Sequence, residues 1–305
     1  MTHFSDRLAA AVQSKGTSLC VGLDPRWDSL PAEVRARHGG DTLESVARAF
    51  EEFCCRVLDV VAPLVPVVKP QMAFFEACGP TGFIALARVL AKARRLGLII
   101  ILDGKRNDIA STATAYADAA LAGAQVDGTR WPVWDSDALT INPYLGRDGV
   151  DPFLESARRT GRGVYVLVRT SNPGAGQFQD LDCGGRPLYI HVADAVRAWS
   201  LKNLGISEFG DVGAVVGGTY PAELATLRAA MPEVPFLVPG FGAQGGGPAD
   251  VAPAFRSDGQ GAIINSSRGI IFAGSPEASN WETAIDRATR HTIHLLAEAI
   301  AAATR

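Results

Sequence analysis

The chain has 305 residues, 47% of them hydrophobic and 20% charged, with a formal net charge of −3 at pH 7. That apolar share excludes a disordered chain, and the length suffices for one large core or two small ones. A charge so close to neutral argues against a nucleic acid held by bulk electrostatics.

Five cysteines (Cys20, Cys54, Cys55, Cys78 and Cys183) make an odd count without metal-ligand spacing. They read as reduced thiols in a reducing compartment. The first residues, MTHFSDRLAAAVQSKG, hold no long apolar stretch and carry Asp6, so no signal peptide is expected. The most apolar stretch, 57–68, is interrupted by Asp59, Pro63 and Pro66 and is too broken to span a bilayer. The expectation is a cytoplasmic protein with neither a membrane nor a nucleic-acid partner.

Short apolar runs alternate with helix-like segments along the chain. The first run, 17–23, ends at Asp24-Pro25, and after a loop rich in Pro and Arg, Asp41 can cap a helix reaching residue 61. The second run, 65–68, ends at Lys69 and precedes an amphipathic helix over 81–96. The third, 98–102, runs straight into the charges of LDGKRND. An Ala-rich helix follows from near Ile109 to Gly123. Residues 125–137, QVDGTRWPVWDSD, break the rhythm and carry Trp131 and Trp134, as an excursion or an interface loop. The remaining runs are 138–141, 163–168, 212–216, 235–238 and 261–264. A Gly-rich loop and a helix over 187–204 follow the fifth, and a last helix covers 281–303.

Eight strand candidates with helices between most of them, and no linker, predict one (β/α)8 barrel over 1–305. An open doubly wound sheet is the alternative, but the first βα turn, GLDPRWDS, lacks G-x-G-x-x-G. In a barrel, the strand ends would turn Asp24, Lys69, Asp103, Lys105, Asp108, Ser171, Gln244 and Arg268 toward one cavity. Asp103-x-Lys105-x-x-Asp108 places alternating charges at the end of a buried strand, where each holds its neighbour ionised. Asp108 would also serve as a helix cap, which alone could account for it. PGFGAQGGG after the seventh run offers glycine backbone to an anion, and NSSRG after the eighth adds the fork of Arg268. Phosphate sites of barrels sit after these two strands, so a phosphorylated ligand is expected. All five histidines fall away from strand ends, leaving no Ser-His-Asp triad. A metal at the rim is possible without being indicated.

These segments resemble the orotidine 5′-phosphate decarboxylase family, in its branch with a somewhat longer bacterial-type chain. The likeness is carried by VGLDPRWD, VKPQMAFFE, LDGKRNDIAST, TINPYLGRDG, VLVRTSNPGAGQFQDL, VPGFGAQGG and NSSRGI, in family order. It implies a cofactor-free lyase that converts orotidine 5′-phosphate to uridine 5′-phosphate in pyrimidine biosynthesis. Lys69, Asp103, Lys105 and Asp108 would be the charged tetrad, with Lys105 the acid that protonates C6 and Asp103 beside the substrate carboxylate. Asp24 and Lys69 would contact the ribose, Ser171 the pyrimidine, and Gln244 and Arg268 the phosphate. The likeness also implies a homodimer in which Asp108 and Thr112 cross into the neighbouring site. Ser267 is a departure, standing where many relatives have Gly before the Arg, and Gln71 and Asn142 receive no role. The competing expectations are a metal-dependent enzyme acting on a keto-sugar phosphate and a non-catalytic phosphate-binding barrel.

Overall fold

The computed structural model describes residues 2–241 and 247–304. Eight parallel strands close into a barrel: β1 (Leu19–Leu23), β2 (Val67–Pro70), β3 (Ile99–Arg106), β4 (Ala138–Ile141), β5 (Gly163–Arg169), β6 (Val212–Val216), β7 (Phe236–Pro239) and β8 (Ala262–Ser266). They follow one another round the ring in chain order, and β8 returns to β1 through Leu19 opposite Ile264. Each expected run is a strand, and the sheet is closed rather than open. The runs read as unbroken apolar stretches because both faces are covered. Cys20, Val67, Ile99, Ile101, Val215, Leu237 and Ile263 fill the interior. Their neighbours Val21, Val68, Ile100, Leu102, Val216 and Val238 face the surrounding helices.

The helix Phe4–Lys15, which the sequence reading left without a role, closes the bottom of the barrel. Phe4 is fully buried and meets Tyr165 edge-on at 6.1 Å between ring centroids. Its ring requires glycine at 163, where a Cβ would lie 2.3 Å from it. Also at this end, the buried Arg228 guanidinium donates to the carbonyls of Ala254, Met231, Val234 and Gly261, tying together the chain that enters β7 and β8.

Several helix limits differ from expectation. Thr42, not Asp41, caps Leu43–Val61, because Thr42 has the extended backbone that brings its hydroxyl to Ser45 N–H, while Ser45 returns a bond to Thr42 N–H. Ala110–Ala117 gives way to one wide turn, Asp118–Ala122, which stops at Gly123 with φ 85°. The helix expected over 187–204 is Leu188–Ser200, and beyond it Asn203 Nδ2 donates to Asp211 at 2.6 Å. Residues 124–131 form a small antiparallel hairpin; Trp131 is exposed, whereas Trp134 packs on Phe83 at 5.6 Å. No helix among the described residues is long and apolar enough to cross a membrane.

Candidate active site

The C-terminal ends of β1 to β4 build a charged cluster on an apolar floor. β3 is eight residues long, and its register against β4 slips between Leu102 and Arg106. The slip leaves Asp103 pointing inward while Lys105 takes a left-handed backbone with φ 44°, unusual for a residue with a Cβ and a form of strain kept at functional positions. Thr140 of β4 holds this turn, since its Oγ1 accepts from Lys105 N–H at 3.0 Å and donates to Asp103 Oδ1 at 2.8 Å.

Asp103 is 5% exposed and saturated with donors. Lys69 Nζ lies 2.6 Å from Oδ2 and Lys105 Nζ 2.7 Å from Oδ1, while Gln71 Nε2 reaches Oδ2 at 3.1 Å. Lys69 is as buried as its partner, whereas nearly half of the Lys105 side chain faces solvent at the barrel mouth. Burial alone would raise the Asp103 pKa, but Lys69 and Lys105 outweigh it and hold the carboxyl well below the usual range. Burial likewise works against the Lys69 ammonium, and the Asp103 and Asp24 carboxylates reverse it, lifting Lys69 above an ordinary lysine.

The sign of each shift fixes a pH window. Asp103 contributes fully above its ordinary 3.8, and that contribution is lost as pH falls through its lower folded value. Lys69 contributes fully below its ordinary 10.5, with loss only as pH rises through its higher folded value. The destabilisation caused by Asp103→Asn should therefore be flat from about pH 5 to 9 and shrink toward acid. Urea titrations of both proteins across that range would check it, and a steep slope near neutrality would contradict the charge assignment.

Other expected residues surround this cluster. Asp24 follows β1, and its Oδ1 is buried without a hydrogen-bond partner among the described residues. Ser171 follows β5 and packs on Gly217, at the end of β6, where a Cβ would lie 2.9 Å from the Ser171 Cβ. Arg268 opens a short helical turn after β8, is exposed, and has no carboxylate partner among the described residues. Ser267 turns inward, its Oγ accepting from Asn265 Nδ2 at 3.2 Å, and fills the space over Gly22, where a Cβ would fall 1.8 Å from that oxygen. Gln244 lies outside the described residues.

Asp108 and Thr112 are not drawn into the cluster. Asp108 is half-buried and, among the described residues, accepts only from the N–H of its neighbour Ile109, at 2.8 Å; the helix N-cap is Ile109, so Asp108 does not cap it. Thr112 is exposed, on a surface shared with Ile109 and Tyr116.

The chain has close counterparts among known proteins. The family described as "Orotidine 5'-phosphate decarboxylase / HUMPS family" matches residues 17–281. The chain belongs to this family. An orotidine 5′-phosphate decarboxylase of Rhodopirellula baltica is 50% identical, over 95% of this chain and 97% of that one. The Deinococcus radiodurans enzyme of the same name is 42% identical, with 88% and 89% covered. Among solved structures, Leishmania donovani OMP decarboxylase superposes with a TM-score of 0.76 at 33% identity, covering 98% of this chain and 99% of that one. Gln71 and Thr140 are the members of the Asp103 cluster to which the sequence gives no role. Gln71 follows the run ending at Lys69, and Thr140 is the polar residue within the run ALTI. For Thr140, a hydroxyl in an otherwise apolar barrel strand is the sequence signal.

Proposed function

We propose that this site decarboxylates orotidine 5′-phosphate to uridine 5′-phosphate, the closing step of UMP synthesis, with Lys105 as cation and proton donor. The reading rests on one observation: a buried Asp103 gripped between Lys69 and Lys105 at a strand end, with Lys105 reaching into the mouth. When the C6–carboxylate bond breaks, CO2 leaves and the electron pair stays on C6, where the ring offers it little delocalisation. A fixed ammonium beside C6 stabilises that charge without having to reorganise, then transfers its proton to the same carbon. Asp103, itself gripped by Lys69, holds the ammonium in place, and it adds repulsion toward the substrate carboxylate.

The remaining groups fit a nucleotide. The unpartnered Asp24 Oδ1 suits a ribose hydroxyl donor, and Lys69 flanks it. Arg268, without a carboxylate partner among the described residues, suits a phosphate, together with Gln244. Ser171, after β5, is the residue assigned to bond the pyrimidine in this reading. Phosphate binding far from C6 drives closure of the loop at 171–182, so part of its energy appears in turnover. Asp108 and Thr112, outside the cluster of one subunit, complete the site of a second copy in a homodimer. The buried carboxylate of the cluster, Asp103, is already held by two lysines, which favours this chemistry over a metal-assisted reaction on a keto-sugar phosphate.

The deciding assay follows loss of orotidine 5′-phosphate absorbance with metal-stripped protein and a chelator present. Conversion to uridine 5′-phosphate is expected; none from folded dimer, with turnover of a keto-sugar phosphate on adding Mg2+, would replace the reading. Arg268→Ala should weaken transition-state binding of the phosphorylated substrate by about 2–5 kcal/mol, seen in kcat/KM. Unchanged kinetics would remove Arg268 from the site.

A further inference from the structure

Arg169 ends β5 and is 4% exposed, yet the reaction described above makes no use of its charge. Its guanidinium lies between two rings, with Tyr189 at 5.6 Å and Tyr220 at 5.2 Å from ring centroid to Cζ. Nε donates to Glu223 at 3.0 Å, Nη1 to Gln179 Oε1 at 3.2 Å and to the Thr170 carbonyl at 3.3 Å, and Nη2 lies 3.2 Å from Asp180. Gln179 then closes the circuit. Its Oε1 accepts from Thr170 N–H at 2.9 Å, and its Nε2 donates to Thr170 Oγ1 at 2.8 Å.

The two feet of the segment that carries Ser171 thus meet on one cation. Thr170 precedes that segment, and Gln179 and Asp180 end the short helix Gly176–Gln179 on its far side. The same cation also reaches the connection after β6, through Tyr220 and the first-turn residue Glu223 of the helix Pro221–Ala230. Gly217, where that connection begins, is the residue pressed against Ser171. Between the feet, Asn172, Pro173, Gly174 and Phe178 are exposed. Tying the feet removes most of the entropy a free loop would otherwise lose on closing. A planar fork that stacks and donates in several directions does this, and an ammonium does not.

We propose that Arg169 is a positioning residue that fastens both feet of the Ser171 segment to the connection after β6. Ser171 is thereby kept over the pocket, and the closing motion of the 171–182 loop is carried by its central residues, 172–178. The assignment rests on the role of Ser171 proposed above, but its first test does not depend on activity. In Arg169→Lys, limited proteolysis within 172–182 of the free protein should speed up about tenfold or more, while Tm moves by no more than about 5 °C. Gln179→Ala, which cuts the loop side and leaves Arg169 in its aromatic slot, should reproduce the effect even if the Arg169 variant folds poorly. Added uridine 5′-phosphate should restore protection. The kcat/KM for orotidine 5′-phosphate should fall about 10–100-fold, the scale of a small misplacement. Guanidinium ion should return part of that loss to Arg169→Ala, a recovery that damaged folding does not give.

Wild-type cleavage in Arg169→Lys and Gln179→Ala would overturn the proposal, whatever the enzyme turns over. Faster cleavage with unchanged kcat/KM in an active enzyme would also overturn it, because the fastening would then not position Ser171. Faster cleavage in a protein without decarboxylase activity would leave the fastening in place and reject the proposed reaction instead.

Discussion

Lys105→Ala should lower kcat by at least about 10^4-fold, the combined scale of a lost proton donor and a lost electrostatic stabiliser, while leaving the fold intact. Among the described residues the Lys105 side chain makes one ion pair, to Asp103, and nearly half of it is already in solvent. The backbone bond from its N–H to Thr140 remains in the variant. Asp103 keeps Lys69, Gln71 and Thr140, so no buried charge is stranded. Alanine meets the same left-handed backbone that lysine tolerates. Single-turnover kinetics beside a thermal melt separates the two effects. Turnover close to wild type would sink the mechanism, and a collapsed melt would show that Lys105 supports the barrel as well.

Asp108→Ala should be similarly inactive, yet equal amounts of the two dead variants should together recover about one quarter of wild-type activity after subunit exchange. In the proposed homodimer, half of the pairs in such a mixture are hybrids, and each hybrid would hold one site with both native residues. The expectation follows from where Asp108 sits: outside the cluster, bonded to its own neighbour, beside the exposed Ile109, Thr112 and Tyr116. It has no cap to lose, so the variant should be nearly as stable as the wild type. No recovery despite exchange, demonstrated with differently tagged subunits, would show that each subunit works with its own Asp108 or without one.

The barrel was legible because its strands are buried on both faces, so each stands out as an apolar run against the helical period between runs. That same uniformity hid which residues point inward. Thr140 reads as one polar residue in a short run, and only the register between β3 and β4 brings it to Asp103. Helix ends were less legible than helices. Asp41 and Thr42 are both good capping types, and backbone geometry chose between them. Asp108 looked like a cap for the same reason and is not one. The charged residues of β2 and β3 were found because carboxylates and ammonium groups at the end of an apolar strand are costly unless they pair or act. Arg169 escaped notice because its partners, Gln179, Asp180, Tyr189, Tyr220 and Glu223, lie on elements that meet only after the ring has formed.

The pairing of β1 with β8 has a consequence for how the chain reaches this structure. Leu19 finds Ile264 across nearly the whole sequence, so the ring cannot close on the ribosome until almost all of it has been made. Until then β1 and the strand made most recently are open edges of an apolar sheet, the kind of surface on which unfinished chains associate. The helix Phe4–Lys15 is synthesised before any strand of the barrel yet seats on Tyr165 and Gly163 of the fifth strand, so it must wait as well. Refolding should accordingly be slow and sensitive to protein concentration, with a late phase in which burial of Phe4 and closure of the last seam occur together.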